Sequence, residues 1–325
     1  MKLRILVPIF AALAAVPASA QQRVEARAST PAGGTVEFTS LDARVRVTGW
    51  GRGEVQVVGR LEREGDRVEL RTDGDRVYVQ VAGPRRTQRG GGGDLEVRVP
   101  ARKAVSVRTT SGEVEVSGVQ GAVAVNTSSG TVRVGGRPAT VEVSTRSGDV
   151  AVDVESERVR TQTISGDVRV DGEVRGGVEV QSVSGEVQIP ARVGTLRAQA
   201  VSGSVTAPSV AGRVEVQTVS GDIRLSSPRL RGEVGTVSGD VFLSGGLDRG
   251  GVTTVSTHSG EIEMALSRGT GAEVQFNTYS GDMVLDLDGA RLTRSSRRER
   301  EVLVGRGGAR VELRTFSGDV KLTGR

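Results

Sequence analysis

The chain has 325 residues, 46 of them glycine, with aromatic residues at only 2% and three methionines. It contains no cysteine, which excludes disulfides, thiolate catalysis and thiolate metal sites. One histidine, His258, leaves no His-cluster metal site, and the net charge of +5 is spread over interleaved acidic and basic residues. There is no basic stripe with interleaved aromatics, so no nucleic-acid partner is expected.

In chain order, the first element is a processing segment. Lys2 and Arg4 precede an apolar run from Ile5 to Val16, too short to span a bilayer, and Ala18-Ser19-Ala20 fits the small-x-small cleavage rule. Residues 1-20 are therefore expected to be a signal peptide, with the mature chain starting at Gln21; an uncleaved anchor is the alternative. The cut carries no cysteine for lipid attachment, and no later apolar run reaches membrane length. The expectation is an exported protein that does not span the membrane, placed in the periplasm, outside the cell or on its surface.

Residues 21-100 are expected to form an N-terminal β-rich cap. Val36 to Val47 has the spacing of a degenerate coil, with Asp42-Ala43 at its corner. Segments 55–61, 67–71 and 76–81 look like longer strands, and Asp73-Gly74 is a hairpin signal. The arginine- and glycine-rich segment 83–93 reads as a loop, and 95–99 and 104–109 as strands leading into the regular part.

Residues 101-325 repeat. Ser-Gly pairs fall at Gly112, Gly130, Gly148, Gly166, Gly185, Gly203, Gly221, Gly239, Gly260, Gly281 and Gly318, mostly 18 residues apart. The last gap is 37 residues, read as hiding one degenerate coil around residues 301–304. With the serine as position zero, aliphatics sit six and four before it (Val141 and Val143, Val178 and Val180) and three and five after it (Val150 and Val152, Ile223 and Leu225). A small, usually hydroxyl residue sits two before it, as at Thr127 and Thr163. Period-two alternation means strands with one face inward. Its parity changes across Ser-Gly, where glycine accepts the bend. The second bend varies in sequence. The fold class is therefore all-β: a single-stranded parallel β-solenoid (β-helix) of about 12-13 coils of ~18 residues, with parallel strands ~4.8 Å apart.

The outward rows give the same register. Five before the serine, successive coils read Glu142, Arg160, Glu179, Arg197, Glu215, alternating in sign as stacked neighbours require. Three before it they read Gln162, Gln181, Gln199, Gln217, which can form an amide ladder. The chain stops just after a regular coil, so the C-terminal coil reads as an uncapped edge open to end-to-end self-association.

The run Val47-Thr48-Gly49-Trp50, the run Leu95-Glu96-Val97-Arg98-Val99-Pro100 and the Thr-x-Ser-Gly-Asp-Val coils resemble the bacterial putative-adhesin family, a domain of unknown function with Ser-Gly-Asp-Val β-solenoid repeats. The resemblance covers essentially the whole mature chain. It implies a β-solenoid at the cell envelope and no particular reaction.

Two rows are candidates for function. The acidic row after the corner glycine, which includes Glu113, Asp149, Asp167, Asp222 and Asp240, could hold cations; the favoured reading is that it bonds turn amides at a solvated corner. The row one before the serine is Ile164, Val183, Val201, Val219, Val237, His258, Tyr279 and Phe316. Strict alternation puts it outside, as a binding ridge. The favoured reading is that an early bend tucks it into the core, because long exposed apolar rows are rare.

No catalytic, cofactor or metal residue is assigned. Each carboxylate recurs coil after coil, so no pair stands in the distinct environments that acid-base chemistry needs. The expected function is a non-enzymatic secreted or envelope protein, an adhesin or protein-interaction scaffold, whose partner is an envelope protein or glycan. The alternatives are a carbohydrate-active β-helix enzyme and a self-assembling envelope scaffold. The basic segment 294–300 is a further break in regularity.

Overall fold

The computed structural model describes residues 22–30, 33–83, 92–296 and 298–324. The signal-peptide expectation for residues 1-20, and most of segment 83–93, fall outside the described residues. Among those residues the chain is all-β and contains no helix.

The Val-x-Val alternation forms two stacks of strands, joined in each coil by the Ser-Gly corner. In the first stack Val123 pairs with Val141, Val141 with Val159, Val159 with Val178 and Val178 with Leu196, always parallel. In the second, Val132 pairs with Val150, Val150 with Val168 and Val168 with Val187, also parallel. Equivalent positions therefore stand in columns, and the valines of both stacks fill one continuous buried core. This is a β-solenoid-like repeat.

The corner needs glycine for two independent reasons. At Gly203 the backbone φ is +128°, and a Cβ placed there would lie 2.0 Å from the Gly185 carbonyl oxygen of the neighbouring coil. The same contact recurs from Gly130 through Gly318, so the glycines form a stack of their own. The buried hydroxyl row completes the corner. Thr127 Oγ1 donates to the Ser129 carbonyl at 2.8 Å and Thr163 Oγ1 to the Ser165 carbonyl at 3.2 Å, and the Ser165 oxygen also accepts the Gly148 amide of the neighbouring coil at 3.0 Å, so the buried hydroxyl finds its partner at the corner itself.

The second bend is rounder than the sequence suggests. Strands Val150–Ser165, Val168–Ser184 and Ile223–Ser238 run through it unbroken, one of them with a register shift between Ser156 and Arg158. Val174, Val193 and Val210 stand in register there as an extra buried column, and Val154, Leu230 and Leu266 are buried at the same bend. Its spacing from the corner varies with loop length, which hides it from a fixed-period reading.

Both ends depart from simple stacking. At the N-terminal end, Thr35–Thr39 and Arg44–Trp50 pair in parallel with Ala104–Thr109 and Val114–Ser117, so the Asp42-Ala43 segment is indeed a coil of the stack. Asp42 bridges Ser111 across the corner. Strands Arg76–Ala82 and Gly93–Pro100 lie on its far side, also parallel. Beyond them the direction reverses: Arg67–Asp73 runs antiparallel to Arg76–Ala82, and Glu54–Leu61 to Gly93–Pro100 and Gln22–Ser29. The strands read from the sequence in this region are all present. Arg67, Glu69, Arg71 and Asp73 line one terminal edge, and such charges oppose further pairing.

At the C-terminal end two expectations are corrected. Residues 301–304 are not a degenerate coil. They belong to Glu299–Val304, which runs antiparallel to Ala272–Ser280 and forms a hairpin with Ala290–Ser295. The final coil is not a free edge either. Ala309–Ser317 lies between Val252–Ser259 and Ala272–Ser280, and Val320–Gly324 between Ile262–Leu266 and Met283–Asp286. The hairpin carries the chain past its penultimate coil and lets the last one insert behind it. This explains the 37-residue gap. Insertion buries Val311, Leu313, Val320 and Leu322 to 0% exposure, whereas Leu285, in the same column but with no coil beyond it, is 39% exposed.

A candidate binding surface along the outer ridge

The row one before the corner serine is exposed along its whole length: Ile164 51%, Val183 45%, Val201 49%, Val219 49%, Val237 51%, Tyr279 56%, Phe316 49%, with His258 also exposed. The tucked-in expectation is therefore corrected. The threonine or serine two before the corner already occupies the last inward place, and in several coils its hydroxyl is tied to the corner carbonyl. The bend begins only after the serine, so alternation sends the intervening residue outward.

Inserting the last coil reorders this row. In sequence the aromatic end reads His258, Tyr279, Phe316; in space Phe316 stands in the middle. Its ring stacks on His258 with centroids 4.8 Å apart and on Tyr279 at 5.0 Å, the planes within 9° and 1° of parallel. The Arg298 guanidinium covers Tyr279, 4.0 Å from its ring centroid, as a cation–π contact. Arg298 belongs to the basic excursion of residues 294–300. Position in sequence gave no sign that this segment reaches the ridge. The result is an unbroken column: Ile164, Val183, Val201, Val219, Val237, His258, Phe316, Tyr279.

Next to the ridge, on the same outer face, runs the amide row. Gln162 Nε2 donates to Gln181 Oε1 at 3.2 Å, and Gln181 Nε2 to Glu179 Oε1 at 3.4 Å. Beyond it the charge row is neutralised in pairs, Arg160 with Glu179 at 3.4 Å and Arg197 with Glu215 at 2.7 Å. The hydrogen bond from Arg197 to Glu215 raises the arginine pKa above its ordinary value. Between the ridge and the amides lies an open groove of about 530 Å³, with Gln162, Gln181 and Gln199 on one wall and Ile164, Val183 and Val201 on the other.

The acidic row does something else. Asp149 Oδ1 accepts the Asp167 amide of the next coil at 3.0 Å, Asp167 Oδ1 the Glu186 amide at 2.8 Å, and Asp240 Oδ1 the Glu261 amide at 2.8 Å. The same contact recurs from the inserted coil, where Asp319 Oδ1 accepts the Asp282 amide at 2.8 Å. These carboxylates tie one corner to the next, and not to their own turn. Among the described residues no three acidic or histidine side chains converge as a metal site would require.

Stacked parallel coils with glycine corners, continuous columns and a regular exposed face define this chain as a repetitive, β-solenoid-like domain. Its sequence matches the family described as Toastrack DUF4097 over residues 52–175 and, in an overlapping match, 141–323. The chain belongs to that family, in line with the resemblance carried by its Trp50, Pro100 and Ser-Gly-Asp-Val signatures. No curated protein matches it. Among solved structures, it is similar to a putative adhesin from Parabacteroides distasonis (11% identity, 94% of this chain and 98% of that one, TM-score 0.39). It is also similar to a putative adhesin from Bacteroides fragilis (8% identity, 94% and 98%, TM-score 0.28). A third is a putative cell adhesion protein from Clostridium sporogenes (6% identity, 94% and 100%, TM-score 0.21).

Proposed function

We propose that this is a non-enzymatic, exported protein of the bacterial envelope that holds another surface molecule against its outer ridge, as an adhesin does. In this reading residues 1-20 direct export, 21-100 close one end of the stack and 101-325 present the surface. The observation that carries it is the ridge: eight apolar or aromatic side chains in one exposed column. A soluble protein rarely leaves so long an apolar row uncovered unless something binds it. The repeated carboxylates are engaged as corner acceptors, which speaks for structure and against catalysis. The C-terminal coil is enclosed on both sides, which speaks against an end-to-end joint through it.

The test is co-sedimentation of the mature protein with envelope preparations, using wild type and a V183D/V201D variant. Both substitutions face solvent, and the two stacked carboxylates repel only at the surface, so the variant is expected to keep its circular dichroism with a modestly lower melting temperature while losing most of its binding. Equal binding by the variant would remove the ridge from the account. Turnover of any member of a polysaccharide panel by the wild type would overturn the non-enzymatic reading.

A further inference from the structure

We propose that the groove between the glutamine row and the aliphatic ridge binds a linear, uncharged polysaccharide with equatorial linkages, laid along the stack with about one pyranose ring per coil. The inference rests on the ridge being a binding surface and names what that surface takes.

Three observations converge on it. The first is chemistry. One wall offers the amides of Gln162, Gln181 and Gln199, half-buried or exposed, and the other the methyl groups of Ile164, Val183 and Val201. A pyranose ring with equatorial substituents has the same division, with apolar C–H faces and hydroxyls around its edge. The amides can donate and accept toward hydroxyls, and the methyls can cover the ring faces.

The second is charge. The two walls are neutral over these coils, and the adjoining Arg160–Glu179 and Arg197–Glu215 pairs cancel internally. An acidic polymer finds no unpaired cation between the walls, so an uncharged one is the complement. Arg146, at one end of the groove, is the exception.

The third is period. The walls repeat with the strand spacing, ~4.8 Å, close to the advance of one equatorially linked ring. An extended peptide advances ~3.3 Å per residue, or ~6.6 Å between side chains on one side, so neither spacing matches the coils, whereas an equatorially linked chain, whose successive rings are flipped, stays in step with every second coil. A peptide also cannot add here as a strand. The groove lies on the face of the sheet, where the backbone of each coil is already paired to both neighbours. The aromatic end is not a sugar platform, since His258, Phe316 and Tyr279 spend their faces on one another and Arg298 covers the last.

The experiment is isothermal titration of the mature protein with β-1,4-linked cello- and chito-oligosaccharides of increasing length. The α-1,4-linked malto-oligosaccharides serve as the bent-chain comparison, and oligogalacturonates as the acidic one. Affinity is expected to rise with each ring until the groove is filled. The bent and acidic chains should bind at least ~10-fold more weakly, about 1.4 kcal/mol. Q181A and Q199A should each reduce affinity with at most a small fall in the melting temperature, larger for Q181A, whose amide bonds Gln162 and Glu179. Absence of binding by all neutral chains, affinity independent of length, or affinity indifferent to Q181A would overturn the proposal. If no oligosaccharide binds but V183D/V201D still abolishes envelope binding, the ridge takes a protein and only the glycan inference falls. If oligosaccharides bind and V183D/V201D changes neither assay, both readings fall.

Discussion

Alanine at Gly203 should destabilise the protein by about 3 kcal/mol or more, among the largest effects of any single methyl group here. Two costs add. The backbone sits at φ +128°, where a Cβ is strained in any surroundings, and that Cβ would also lie 2.0 Å from the Gly185 carbonyl oxygen. The obstruction is backbone, held in place by the Gly203 amide, which donates to the Ser220 carbonyl at 3.0 Å, and by the Gly185 amide, which donates to the Ser202 carbonyl. Relief would require the two coils to separate. The comparison is Gly51→Ala, where nothing lies within 4 Å and φ is not in the left-handed region. Urea denaturation of both variants checks this: the Gly203 variant loses a large part of its midpoint, and the Gly51 variant stays close to wild type.

The second large effect follows from where the last coil lies. Leu313 is 0% exposed and sits in its column between Val255 on one side and Phe276 on the other. Leu313→Ala should cost about 2–5 kcal/mol, the range for deleting a buried leucine in a packed core. Leu285, covered from one side only, is the control, and its alanine variant should cost clearly less. If the coils stacked in sequence order the ranking would reverse, since residue 313 would then lie at the open end. Thermal or urea unfolding of the two variants reads the difference directly.

Most of the regular architecture could be read from the sequence. Glycine at a fixed spacing marks a corner, and Val-x-Val on either side marks strands whose parity shows which residues face inward. The pairing of Arg160 with Glu179 and of Arg197 with Glu215, and the Gln162–Gln181 hydrogen bond, follow from the same register. What escaped depends on contacts that periodicity does not encode. Whether Val183 and its neighbours face out is decided by how Thr163, Ser182 and Thr218 fill the corner. The order of the aromatic column is decided by the hairpin of Ala290–Ser295 and Glu299–Val304. That hairpin has the valines of a coil around residues 302–304 but no Ser-Gly corner, and without the corner it pairs antiparallel. The bridging aspartates were read correctly as amide acceptors, but the amides belong to the next coil and not to the same turn.

All of this rests on one claim, that equivalent positions of neighbouring coils stand in columns, with the last coil inserted before the penultimate one. The native chain has no cysteine, so paired cysteines report spatial order without interference. The deciding measurement is disulfide formation under mild oxidation in H258C/F316C compared with H258C/Y279C. Positions 258 and 316 occupy adjacent strands, within disulfide reach, whereas a whole strand separates 258 from 279. The structure predicts rapid, near-complete crosslinking of H258C/F316C and little of H258C/Y279C; the opposite pattern would mean that the coils stack in sequence order and that the ridge is not the surface described.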